Sequence, residues 1–229
     1  MQTIELHHVT VHRGARPALD DVDASLPSGA ITALVGDNGS GKSTLLEVLA
    51  GTLPHAGRID GLPARRALVV QRTDLGDRLP LTAHATVAMG LWAERGLLGR
   101  LRAADRARVD AALDAVGVRG LAGAGLSTLS GGPRQRVLVA QGIVQDASVV
   151  LLDEPTASAD AASRDRIDAA LRALALRGTT VVVATHDRAS LARADHAVLL
   201  DGGRVVVEGM PAVVAAEQAR RAAEALALG

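Results

Sequence analysis

The stretch Gly36-Asp37-Asn38-Gly39-Ser40-Gly41-Lys42-Ser43-Thr44 fits the pattern G-x-x-x-x-G-K-[ST]. Glycines at this spacing let backbone N–H groups converge on phosphate oxygens, and a helix opening at the loop adds positive potential at its N-terminus. Lys42 would carry a compact charge to the β- and γ-phosphates of a nucleotide, and the Ser43 hydroxyl would ligate Mg²⁺. Lys42 is also the one lysine in the chain, the rest of the 25 basic side chains being arginine. A sequence so biased keeps a lysine where a forked guanidinium would not serve.

A second group lies downstream. Val149 to Leu152 form an apolar run ending in Asp153 and Glu154. Acids at the carboxyl end of a parallel strand lie where α/β sheets bind ligands. Asp153 suits Mg²⁺, directly or through water, and Glu154 suits polarisation of an attacking water. Two acids after a strand are by themselves ordinary turn residues; the phosphate loop gives them a role. Ser130-Gly131-Gly132-Pro133 reads alone as a helix cap with proline at the first helical position. His186, after the run Thr179–Ala184, reads alone as structural.

These residues need a scaffold. Ile31–Val35, Ala67–Val70, Val149–Leu152, Thr179–Ala184 and Ala197–Leu200 read as strands buried on both faces. They alternate with helical patterns at Ser43–Leu49, Ala104–Val116, Pro133–Val144 and Arg164–Leu176, as in a doubly wound α/β domain. Thr3–Val11, Asp21–Leu26 and Gly57–Ile59 read instead as an antiparallel layer at the amino terminus. Residues 72–145 are mostly helical, so the expectation is one domain over 1–229. Its α/β core would comprise 1–71 and 146–229, with a helical subdomain inserted at 72–145. The tail after Pro211 reads as an Ala-rich amphipathic helix.

Composition narrows the class. With 229 residues, 48% of them hydrophobic, the chain can bury a sizeable core. Zero net charge argues against a nucleic-acid partner, and the absence of cysteine excludes disulfides and thiolate metal sites. No apolar run approaches the roughly 20 residues of a membrane span, and the start does not read as a signal peptide. A soluble protein on the cytoplasmic side is expected. Arg100, Arg102, Arg106 and Arg108, beside Asp105 and Asp110, read as a solvated helix face.

The order of motifs resembles the ATPase subunits of ATP-binding-cassette (ABC) transporters over nearly the whole chain. Leu129-Ser-Gly-Gly-Pro-Arg-Gln-Arg136 resembles that family's LSGGQ-x-QR signature. Gln71 matches the glutamine that touches Mg²⁺ and links to the helical subdomain, Ala157–Asp160 the loop that crosses the dimer interface, and His186 the switch histidine at the γ-phosphate. The resemblance implies a P-loop NTPase fold, ATP and Mg²⁺ as ligands, and a head-to-tail homodimer. Each ATP would lie between one phosphate loop and the partner's Ser130, Gly131 and Gly132. Hydrolysis by Glu154 would release the dimer and drive a transmembrane permease, with an extracytoplasmic solute-binding protein supplying cargo.

Three positions depart from the family pattern. Pro133 replaces the signature glutamine, Arg13 falls where an aromatic ring commonly stacks on adenine, and Asp37 replaces a frequent proline. The segment Leu79 to Trp92 is similar to zinc and manganese importers, with iron-chelate importers the alternative; Trp92 either lines the permease groove or packs in the core. An ATP-gated clamp with slow turnover would suit Pro133, but retention of Lys42, Glu154 and His186 argues against it. His7, His8 and His12 lack a cysteine or tight carboxylate cluster in sequence, and no metal site is expected there.

Overall fold

A computed structural model describes residues 2–14, 16–70, 80–96, 99–157 and 159–227. An antiparallel sheet of order β2-β1-β4 holds β1 (Ile4–Arg13), β2 (Arg16–Leu26) and β4 (Ala56–Asp60). A second sheet runs β5-β6-β7-β3-β8-β9. Its members are β3 (Ile31–Val35), β5 (Arg66–Val69), β6 (Val149–Asp153), β7 (Thr180–Ala184), β8 (His196–Asp201) and β9 (Arg204–Gly209). All its pairings are parallel except that of β8 with β9.

Every residue of β3 and β7 is buried, which explains their unbroken apolar sequences. Alternate residues of β6 serve different cores. Val150 and Leu152 join a cluster with Val87, Leu91, Val109 and Val137 from the helices and turns between β5 and β6. Val149 and Leu151 face the other way, to a cluster with Leu45 and Leu49 and with Leu6, Leu19 and Val22 of the antiparallel layer.

The described helices are α1 (Lys42–Ala50), α2 (Ala83–Met89), α3 (Trp92–Arg95), α4 (Ala103–Ala115), α5 (Gly131–Ile143), α6 (Ala161–Leu176), α7 (Arg188–Arg193) and α8 (Pro211–Ala227). Between β5 and β6 the described residues are helices, turns and one isolated bridge, Thr82 to Gly125. Buried Asp105 there accepts from Arg95 at 2.7 Å and from the Arg102 N–H at 2.9 Å, starting α4. Of the arginine cluster, Arg108 pairs with Glu94 at 2.9 Å and also donates to the Val144 carbonyl. It ties helices together rather than only facing solvent. Trp92 is 40% exposed, so it is not core packing.

Two element starts and one whole strand depart from the sequence reading by more than the ragged ends of the other elements. Strand β2 starts at Arg16 rather than Asp21, because buried Leu19 and Val22 both pack against β1 and the two acidic residues between them are taken up in a register shift. Helix α5 starts at Gly131, so Pro133 is its third residue, not its first. Proline is tolerated there because N–H groups of the first turn have no intrahelical acceptor. Strand β9 was not expected at all. It returns through a tight turn at Gly202 and Gly203, with φ of 55° and 83°.

Candidate active site

Strands β6, β7 and β3 lie side by side and parallel, so the segments leaving their carboxyl ends open onto one edge. This is where open α/β sheets place ligands. After β3 comes the loop 36–41 and then α1; after β6, Asp153 and Glu154; after β7, Thr185 and His186.

The loop is possible because of its glycines. Gly36, Gly39 and Gly41 have φ of 144°, 82° and 107°. A Cβ on Gly36 would stand 2.1 Å from the Leu200 carbonyl oxygen, and one on Gly41 would stand 2.8 Å from that of Ala18. A Cβ on Gly39 would meet nothing within 4 Å, because that residue faces the open cleft. The cleft, about 230 Å³, is lined by Asn38, Gly39, Lys42, Ser43, Asp153 and Glu154 among others.

Lys42 is 6% exposed and donates to the Gly36 carbonyl at 2.7 Å and the Asp37 carbonyl at 2.9 Å. Burial pushes its ammonium below the ordinary lysine value, against the pull of Glu154, Asp153 and Asp37. Burial likewise pushes the Asp153 carboxyl up, opposed by a hydrogen bond from Ser43 and by Lys42 and reinforced by Glu154. Ser43 and Asp153 thus set a hydroxyl and a carboxylate against each other beside a buried ammonium. Such hard oxygen donors are the set Mg²⁺ takes when it also binds phosphate, so the residues fit that ion. Ser40 Oγ is buried in the loop without a hydrogen-bond partner.

Glu154 has left-handed backbone, φ 48°, and its N–H donates to the Ala184 carbonyl at 2.9 Å. That turn carries it off β6 toward β7, where its Oε1 lies 3.1 Å from His186 Nδ1. Strain in a non-glycine residue is sustained when the surroundings over-determine it, and it concentrates at functional sites. A second cleft, about 330 Å³, is lined by Glu154, Thr156, Arg164, Thr185 and His186. Glu154 therefore stands where the two clefts meet.

Other residues singled out in the sequence lie elsewhere. Ser130, Gly131, Gly132 and Asp160 line neither cleft. They gather at a different point: Asp160 caps α6 by accepting from the Ser163 N–H at 2.7 Å, and a Cβ on Gly132 would stand 2.5 Å from Ser163 Oγ. Ser130 caps α5 with no side-chain hydrogen bond. Arg13 forms an ion pair with Glu47 of α1, so its guanidinium is held from the side. Thr44, by contrast, is in α1, largely buried, and lines the phosphate-loop cleft beside Ser43. Gln71 lies outside the described residues.

One supporting feature escaped the sequence reading. The Gly203 N–H donates to the Ser40 carbonyl at 3.1 Å, and the Asp20 N–H donates to the Gly203 carbonyl at 2.9 Å. The β8–β9 turn thereby ties the phosphate loop to the antiparallel layer. Its signal was present: Asp-Gly-Gly between two apolar runs is a hairpin sequence.

The chain is similar to known proteins over most of its length. The profile of the family described as ABC transporter matches residues 19–157. The zinc transport system ATP-binding protein TroB of Treponema pallidum is 38% identical over 221 residues, covering 93% of this chain and 82% of TroB. The hemin import ATP-binding protein HmuV of Streptomyces coelicolor is 39% identical, covering 90% of this chain and 78% of HmuV. Among solved structures, cbiO1 of Clostridium perfringens, part of the ABC transporter complex cbiONQ, superposes with a TM-score of 0.77 at 28% identity, covering 94% of this chain and 91% of that one. A dimeric bacterial ABC transporter cassette superposes with a TM-score of 0.78 at 25% identity, covering 91% and 98%. No helix among the described residues is long and apolar enough to cross a membrane. A phosphate loop, a carboxylate pair and a histidine converge at one sheet edge, and similarity extends over most of the chain: it belongs to the ABC transporter family as an ATP-binding, ATP-hydrolysing cassette.

Proposed function

We propose that this cassette powers the import of zinc or manganese ions through a membrane permease. The observation that carries its catalytic half is Glu154 at the junction of two clefts, 3.1 Å from His186 and beside the phosphate loop. In this reading the backbone of 36–44 cradles the phosphates of ATP, and Lys42 leaves the Gly36 and Asp37 carbonyls for phosphate oxygens. Ser43 and Asp153, with Gln71, would hold Mg²⁺, which neutralises charge developing on the phosphates. Glu154 polarises the attacking water, and His186 holds the carboxylate in register and reaches the γ-phosphate. Arg13 flanks the adenine side.

Ser130, Gly131, Gly132 and Asp160 then serve the ATP of a second copy, which is why they line neither cleft of their own chain. The segment 72–145, with Trp92 exposed on it, forms the arm that meets the permease on the cytoplasmic face. An extracytoplasmic solute-binding protein completes the system. Support for the cargo comes from TroB and from the manganese transport system protein MntB of Bacillus subtilis, 36% identical over 195 residues. The hemin import relatives support a second reading, an iron-chelate importer.

The test is metal uptake in cells lacking the gene, complemented by wild type or by Glu154→Gln. Wild type should restore zinc or manganese accumulation under chelation. Glu154→Gln should not, and the purified variant should bind ATP while hydrolysing it at least about 100-fold more slowly. Unchanged zinc and manganese with reduced hemin iron would favour the second reading. Hydrolysis by Glu154→Gln above about a tenth of wild type would remove the general base.

A further inference from the structure

Two of the three irregularities in the β1–β2 hairpin bring together side chains that regular alternation would separate. Leu6 pairs with Ala24 and Val9 with Val22, so His7 and His8 stand opposite the single residue Asp23. One step on, Val9–Val22 and Val11–Leu19 bracket Thr10 against Asp20 and Asp21. The buried positions show the same slips, at Ile4, Leu6, Val9 and Val11 on one strand and Leu19, Val22, Ala24 and Leu26 on the other. Bulges of this kind re-aim side chains.

Here they aim three at one point. His8 Nδ1 lies 2.8 Å from Asp21 Oδ1 and 3.7 Å from Asp23 Oδ2. One ligand atom from each residue lies within 4.8 Å of the other two. Asp23 is already oriented, since its Oδ1 accepts from the His8 N–H at 2.9 Å and leaves Oδ2 toward the imidazole. The Asp21 N–H is fixed on Thr10 Oγ1 at 3.1 Å. Three donors about 2.0–2.1 Å from one tetrahedral ion stand roughly 3.3 Å apart. The two nitrogen–oxygen separations straddle that value, so small side-chain rotations complete the geometry.

We propose that His8, Asp21 and Asp23 form a surface site for a divalent transition-metal ion of the zinc type, bound by one imidazole nitrogen and two carboxylate oxygens. The imidazole is what selects the ion. Carboxylates alone suit Mg²⁺ or Ca²⁺, whereas a nitrogen ligand favours zinc and its neighbours in the first transition row. All three side chains are more than half exposed, so water fills the remaining coordination positions. The sequence alone did not show this site, because its carboxylates come from the facing strand and meet His8 only through the bulges. None of the three lines either nucleotide cleft, and the site stands whatever solute the transporter carries.

The experiment titrates Zn²⁺ into the full chain with excess Mg²⁺ present, following imidazole resonances by NMR and stoichiometry by equilibrium dialysis. His8 should shift first, saturating at one equivalent. His8→Asn, chosen because asparagine accepts the left-handed backbone found there (φ 53°), should weaken that binding at least about tenfold, as should Asp23→Asn. His12→Ala should leave it intact, and ATPase activity should be unchanged in all three variants. Undiminished affinity in His8→Asn, a different histidine shifting first, or no zinc bound by the wild type would each overturn the assignment.

Discussion

Ser130 is set apart from the other side-chain caps by one neighbour. Thr82, Asp160 and Asp187 each accept from the N–H of the third helical residue, Ala85, Ser163 and Ser190. The third residue of α5 is Pro133, which has no N–H, and Ser130 makes no such bond. Its hydroxyl is left uncommitted at a position whose proposed partner is a phosphate. Pro133→Gln alone is a poor probe, since losing proline also loosens the unfolded chain. The informative quantity is the coupling between positions 130 and 133. Pro133→Gln should gain about 1 kcal/mol more in the wild-type background than beside Ser130→Ala, measured by denaturant unfolding of single and double variants. Additive effects would mean that no cap forms. At this scale the residues that line the two clefts, Lys42, Ser43, Asp153, Glu154 and His186, were legible from motif order alone. The Ser130 hydroxyl and the His8 cluster were not, because each depends on what a backbone N–H or a facing strand does.

Helix α5 is pinned by small residues at both ends. A Cβ on Gly132 would press on Ser163 of α6, and one on Gly142 would stand 2.4 Å from Val69 Cγ2 on β5. The helix that presents the signature therefore lies directly on the sheet that presents the acids. Gly142→Ala should destabilise the protein by about 1–3 kcal/mol through overpacking, despite alanine's better helix propensity. A rise in thermal stability would show that β5 yields. Compensating Val69→Ala should recover part of the loss. The parallel strands were legible because burial on both faces leaves unbroken apolar runs. Strand β9 was missed because its burial is only partial, and because its start, Arg204, follows a glycine pair that reads as loop. The first residue of α5 was misplaced because proline suits any position in a first helical turn, so composition cannot fix which one it occupies.

At the scale of the molecule, the two cores meet across one sheet, and the phosphate loop sits above that shared layer, tied by Gly203 to the antiparallel sheet. Opening the loop means disturbing both. The burial of Lys42 then has a consequence for proteolysis. Since every other basic residue is arginine, an endoprotease specific for lysine has one place to cut, between Lys42 and Ser43. In the folded chain that bond opens α1, and its side chain is 6% exposed and bound to two carbonyls. Digestion should yield only the fragments 1–42 and 43–229, at a rate that reports how often the loop and the first turn of α1 open together. ATP at a hundred times its Kd should slow that cut about 100-fold if nucleotide binds only the closed form. An unaltered rate would mean that nucleotide does not hold the loop shut. The one lysine in the sequence thus makes the protein its own clock for the motion of the loop, without any label being attached.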